Sequence, residues 1–115
     1  MKYKFSRTGV YCVTINTEIK IIKSDKSELL TGDITAKLIR LNSYRMHDYE
    51  VLDSTVFKLK NTDNVAFILN LDAEIIGEKD NSVELELMIT NNLNKSIACY
   101  SGIPLLRFAG EEKKQ

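Results

Sequence analysis

Nucleophilic or metal chemistry in this chain would have to start from three residues: the single histidine, His47, and the two thiols, Cys12 and Cys99. A Cys–His pair activates a thiolate for attack only when the two groups lie within hydrogen-bond reach. Nothing in the sequence brings Cys12 to His47, so the pattern reads as two buried thiols and a surface histidine. A zinc site takes three or four ligands. His47 and Asp48 supply two adjacent ones, and no second histidine follows. Glu84 and Glu86 are two residues apart and share a face if they lie on a strand, the arrangement in which paired carboxylates can do acid–base work. Flanked by Val83, Leu85 and Leu87, they read instead as a wetted strand face. The glycines Gly9, Gly32, Gly77, Gly102 and Gly110 are scattered, so no phosphate-cradling loop forms. No catalytic, metal or cofactor residue emerges. The chain reads as a non-enzymatic protein without a cofactor.

Binding chemistry has a better candidate. The stretch Leu41-Asn42-Ser43-Tyr44-Arg45-Met46-His47-Asp48-Tyr49 combines two tyrosines, an arginine and a methionine. Tyr and Arg are enriched among the anchors of protein interfaces, and the thioether of Met adapts to varied apolar surfaces. Tyr44, Arg45, Met46 and Tyr49 are therefore the candidate protein-binding residues. A second cluster interleaves Tyr3, Phe5 and Tyr11 with Lys2, Lys4 and Arg7, as a base-stacking groove would. The charge argues against nucleic acid. Lys plus Arg equals Asp plus Glu at 16 each, whereas phosphate binding draws on an excess of cations. The charge is divided along the chain: residues 1–60 carry 11 basic and 7 acidic groups (+4), and residues 61–115 carry 5 and 9 (−4).

The elements that must position these residues are strands. Val83-Glu84-Leu85-Glu86-Leu87-Met88-Ile89-Thr90 alternates apolar and polar, the signature of a half-buried strand. Val65 to Ile76 alternates as well, with Val65, Phe67, Leu69, Leu71, Ala73 and Ile75 on one face. Gly77 to Ser82 between them is rich in turn formers, so the pair predicts an antiparallel hairpin. Val10 to Ile22 is rich in β-branched residues, and Val13, Ile15, Thr17, Ile19 and Ile21 share a face. Ile34 to Leu41 fits a strand through Ile34, Ala36 and Leu38, or a short helix through Leu30, Ile34, Leu38 and Leu41. Gly32 weakens the helical reading, and the strand is preferred. Tyr49 to Val51 and Thr55 to Leu59 alternate around Asp53-Ser54. Turns are expected at Asn61–Asn64 and Asn91–Lys95, followed by a strand near Ile97 to Tyr100. Pro104 marks an edge or bulge before Leu105–Phe108. The expectation is an all-β, mainly antiparallel domain over residues 1–110, a curved sheet, barrel or sandwich of six to eight meandering strands. A charged, flexible tail, Glu111–Gln115, would follow.

No run approaches the roughly 18 apolar residues of a membrane-spanning helix, and Val10 to Ile15 is shorter than the apolar part of a signal peptide. The expected location is the cytoplasm, with both cysteines reduced. Long alternating strands and a single proline leave sheet edges with little protection, which predicts a homo-oligomer.

Residues Ile34 to Gly110 follow the strand order of the SecB-like export chaperones. Arg40 to Glu50 resembles that family's opening strand, Ile68–Ala73 and Val83–Ile89 its central hairpin, and Ile97–Ile103 its last strand and the glycine after it. The long helices that follow in the family have no counterpart in this sequence. The resemblance implies a cytoplasmic oligomer that holds extended, apolar segments of a polypeptide. Val83 to Phe108 also resembles the late strands of the dUTPase-like trimer fold, but that family's catalytic aspartate loop and glycine-rich tail have no match, so hydrolysis is not implied. The function read from the sequence is polypeptide binding by a chaperone or related module. The alternative is a viral or mobile-element protein that binds and inhibits a host protein, or a structural β subunit.

Overall fold

The computed structural model describes residues 1–22, 30–41, 48–60 and 66–110. Eight strands lie within them: β1 (Lys2–Lys4), β2 (Gly9–Ile21), β3 (Thr31–Leu41), β4 (Tyr49–Lys60), β5 (Ala66–Gly77), β6 (Ser82–Asn91), β7 (Ile97–Ser101) and β8 (Leu105–Gly110). Among the described residues no helix is long and apolar enough to cross a membrane. The fold is all-β: two antiparallel sheets that do not close into a barrel. One sheet has the order β1-β6-β3-β4. The other has β2 at its centre, with β5 along one edge and β7 and β8 along successive parts of the other.

Alternation in sequence becomes alternation in space. Along β2, Tyr11, Val13, Ile15, Thr17, Ile19 and Ile21 are buried. Tyr11, Val13, Ile15 and Ile19 join Ile34, Ala36 and Leu38 of β3 and Val83 and Leu85 of β6 in one apolar core, with Leu69, Leu71 and Ile75 of β5 beside them. Each buried aliphatic side chain contributes about 1.5–3 kcal/mol by leaving water. A second cluster, Ile21, Leu30 and Leu59, extends the core, and the rings of Phe57 (β4) and Phe67 (β5) stack across the sheets at 4.1 Å. Residues 34–41 are strand, inside β3.

The β5–β6 hairpin does not form. All of β5 pairs with β2, from Ala66 opposite Lys20 to Gly77 opposite Gly9, whereas β6 pairs with β3 and β1. The connection at 78–81 carries the chain from one sheet to the other around Phe5. The Phe5 amide donates to the Asn81 carbonyl, and the Asp80 amide donates to the Phe5 carbonyl. Gly77 backs onto the Phe5 ring so closely that a Cβ there would lie 2.3 Å from it. Among the described strands only β3 and β4 pair with their successor in sequence, so the meander is replaced by connections that cross between sheets. The sequence turn at 61–64, Val65 and the tail 111–115 lie outside the described residues.

The expected edge at Pro104 is present. β7 and β8 are collinear on the edge of β2, with Ser101 opposite Thr17 and Leu105 opposite Thr14. Four steps on one side match three on the other, so the break at 102–104 carries one extra residue, as a bulge does. Pro104 is buried there. Its carbonyl accepts a hydrogen bond from the hydroxyl of Tyr3 in the opposite sheet.

Candidate functional site

Of the four candidate binding residues, Tyr44, Arg45 and Met46 lie outside the described residues. Tyr49 begins β4 opposite Leu41 and is 43% exposed. It lines a shallow depression with Arg40, Leu41, Asp48 and Glu50, floored by an Arg40–Glu50 ion pair across the β3–β4 ladder. Val51 and Val56 on the same strand are exposed too. Tyr49 thus sits at the head of an apolar strip on an edge strand.

Of the residues that suggested other chemistry, His47 lies outside the described residues, and the two thiols stand apart. Cys12 pairs with Glu74 and Arg107 on the outer face of its sheet, while Cys99 pairs with the fully buried Ile19 and so faces the other way. The two thiols stand on opposite faces of one sheet and are not bonded. Local desolvation raises the pKa of the Cys99 thiol above its ordinary value, which lowers its thiolate fraction at neutral pH. Among the described residues, no three His, Cys, Asp or Glu side chains gather as metal ligands. Phe5 and Tyr11 are core residues. Their rings meet at 4.9 Å, and Tyr11 continues to Phe108 at 5.2 Å. The Tyr11 hydroxyl donates to the Arg7 carbonyl, and the Arg7 guanidinium lies over Phe108 at 4.3 Å. These aromatics hold one end of the sandwich together, and Phe5 and Tyr11, at 4% exposure each, are turned away from solvent.

Glu84 and Glu86 face outward on β6, Glu84 half-buried and Glu86 exposed. On the inward face of β6, Val83 and Leu85 are buried, but Leu87 and Ile89 are only half-buried. The reason is the length of the neighbouring strand. β1 covers only Ser82–Glu84, and Met1 extends the pairing to Leu85: the Leu85 amide donates to the Met1 carbonyl at 2.9 Å and the Met1 amine donates to the Leu85 carbonyl at 2.7 Å. Beyond Leu85 no described strand lies along that edge of β6.

Across the sandwich, the outer edge of β7 is also unpaired. Ser101 and Cys99 of β7 are exposed, although their cross-strand partners Thr17 and Ile19 are at most 1% exposed. The two sheets part here. A cleft of about 280 Å³ opens between them, lined by Met1, Ile15, Leu85, Leu87, Ser101 and Ile103 among others. Ile103 in its lining and Leu105 and Tyr100 beside it are 55–61% exposed. This open side, with its apolar floor, is the second candidate surface. The periodic pattern of β6 gave its inward and outward faces but not the shortness of β1, which leaves the floor uncovered.

No family model, curated protein or solved structure matches the chain.

Proposed function

We propose that this protein is non-enzymatic and binds polypeptide, as a SecB-like chaperone or a related binding module does. The observation that carries the reading is the conjunction of unpaired strand edges with exposed apolar residues beside them. β4, β5 and β7 each pair on one side only. Tyr49, Val51, Val56, Ile68, Tyr100, Ile103 and Leu105 are exposed on or next to those edges. Edge backbone groups supply sequence-independent hydrogen bonds to an extended chain, and apolar side chains supply affinity for its hydrophobic residues. The same edges support assembly into a homo-oligomer. Dispersal of the two described thiols and engagement of Phe5 and Tyr11 in the core support a binding role over catalysis or base stacking.

The test is titration of a fluorescently labelled, reduced and carboxymethylated unfolded protein with the native chain. Association at roughly 10–50 μM or tighter is expected. Tyr49→Ala should leave the melting temperature nearly unchanged and weaken association by more than about 1 kcal/mol, the usual cost of losing an interface anchor. No association at those concentrations would overturn the reading.

A further inference from the structure

We infer that Asp53 is an edge guard. Its carboxylate holds one edge amide of each sheet and so closes the β4–β5 side of the sandwich against strand addition by another chain.

The backbone comes first. Residues of an antiparallel strand direct their amide and carbonyl alternately to one neighbour and to the other. The Asn92 amide donates to the Asp33 carbonyl, so Asp33 faces β6, and by alternation Ile34, Ala36 and Leu38 face β4. Their partners Phe57, Thr55 and Asp53 face back toward β3. Ser54, Val56 and Lys58 are therefore directed to the open edge of β4. In the other sheet the Gly102 amide donates to the Asn16 carbonyl. Asn16 thus faces β7 and β8, while Ile15 and Thr17 face Leu71 and Leu69 of β5. By the same alternation Ile68, Asn70, Asp72, Glu74 and Ile76 are directed to the open edge of β5. No described strand lies along either edge. Such rows are templates for another extended chain.

Asp53 interrupts both rows. Its partner in β3 is the fully buried Leu38, so its side chain leaves β4 on the inner face, toward β5. One carboxylate oxygen accepts the Ser54 amide at 2.9 Å, and the other accepts the Asp72 amide at 3.0 Å. Hydrogen bonds to an ionised acceptor are about twice as strong as neutral ones. A strand added at either position would have to displace that bond, and its own carbonyl oxygen would come against the carboxylate. An inward-pointing charge on an edge strand is one of the ways a sheet refuses a neighbour. What stays open is short: Val56 and Lys58 on β4, Ile68 and Asn70 on one side of Asp72, and Glu74 and Ile76 on the other. Val56, Ile68 and Ile76 are exposed and still offer apolar contact. Another chain can be held on this side by side chains and two-residue stretches of edge, while a continuous ladder cannot grow through it.

The test compares the native chain with Asp53→Ala and the isosteric Asp53→Asn, each first shown to be folded by circular dichroism. With amide exchange followed by NMR, Ser54 and Asp72 of the native chain should exchange about tenfold more slowly than Val56 and Asn70, which face the same edges. Asp53→Ala should bring both amides to the rate of those neighbours. Asp53→Asn, with one carbonyl oxygen, should release one of the two. The probe for strand addition is a blocked hexapeptide alternating valine and serine, uncharged so that lost charge at position 53 acts only through the guard. It should bind Asp53→Ala about fivefold more tightly than the native chain, the worth of one regained hydrogen bond, and slow the Ser54 or Asp72 amide on saturation. Asp53→Asn should move the same way, and it carries the comparison if Asp53→Ala does not fold. Two results would overturn the inference: Ser54 and Asp72 exchanging as fast as Val56 and Asn70 in the native chain, or the peptide binding the native chain as tightly as the folded variants. Neither result touches the binding of unfolded protein to the native chain, so the guard and the polypeptide-binding reading fail separately.

Discussion

Replacing Gly32 by alanine tests how the sandwich is pinned at the end remote from the cleft. Gly32 holds φ at +112°, a conformation that a residue with a Cβ adopts only under strain of about 1–3 kcal/mol. An added Cβ would also stand 2.3 Å from the carbonyl oxygen of Asn92, where an unstrained carbon–oxygen contact is about 3.3 Å or more. One of the two must move by about 1 Å. The Asn92 backbone cannot yield without loss, because its amide donates to the Asp33 carbonyl and its side-chain amide donates to the Asp33 carboxylate, each at 2.9 Å. Loss of one such bond adds about 0.5–1.5 kcal/mol. Gly32→Ala should therefore cost about 2–4 kcal/mol, a large share of the roughly 5–15 kcal/mol that holds a domain together. In urea unfolding followed by circular dichroism this lowers the midpoint by roughly 1–2 M at unchanged slope. Gly102→Ala is the matched control. Its Cβ would meet nothing nearer than the Asn16 carbonyl at 3.8 Å, so the change should stay within about 0.5 kcal/mol. Equal costs at the two glycines would refute the reasoning, since composition would then matter and local geometry would not.

Three further outcomes are expected. Leu85→Ala should cost about 2–5 kcal/mol and Leu87→Ala clearly less, because Leu85 is fully buried and Leu87 half-buried on the same face; matched urea titrations compare them, and equal losses would mean that the cleft is closed in solution. The Cys99 thiol, its pKa raised by desolvation, should be alkylated by iodoacetamide with a rate midpoint at higher pH than that of an unperturbed cysteine, because the reactive thiolate appears only as pH rises through the raised pKa; a midpoint at or below the ordinary value refutes the assignment. Light scattering at micromolar concentration should return at least two chain masses, held by the unpaired edges of β4 and β5 and the exposed apolar residues beside them, Val51, Val56 and Ile68; a single chain mass would end that proposal.

Faces were legible in the sequence where partners were not. The period of two in β2, β5 and β6 put Val13, Ile15, Leu69, Leu71, Val83 and Leu85 on inward faces, and all are buried. Pro104 announced an edge, and the chain breaks there. The hairpin of β5 with β6 failed because alternation is the same whichever strand lies alongside. Ten to twelve residues of either strand could pair with any other of similar length, and the choice fell to β2 for β5 and to β3 for β6. What redirects the chain at 78–81 is a tertiary contact, the Phe5 ring against Gly77, between residues far apart in sequence. A turn-forming composition marks that the chain turns without marking whether it returns in the same sheet.

The candidate surfaces divide the same way. Tyr49 was legible by type, and it is exposed on an edge strand. The β6 edge was not, because an edge is a property of what fails to lie next to a strand. Glu84 and Glu86 read as a wetted face, and Leu87 as core. Leu87 stays half-open because β1 has three residues where β6 has ten. β1 lies opposite Ser82–Glu84, and the alternation of β6 runs on unchanged past that point, so nothing in its own residues marks where the cover stops.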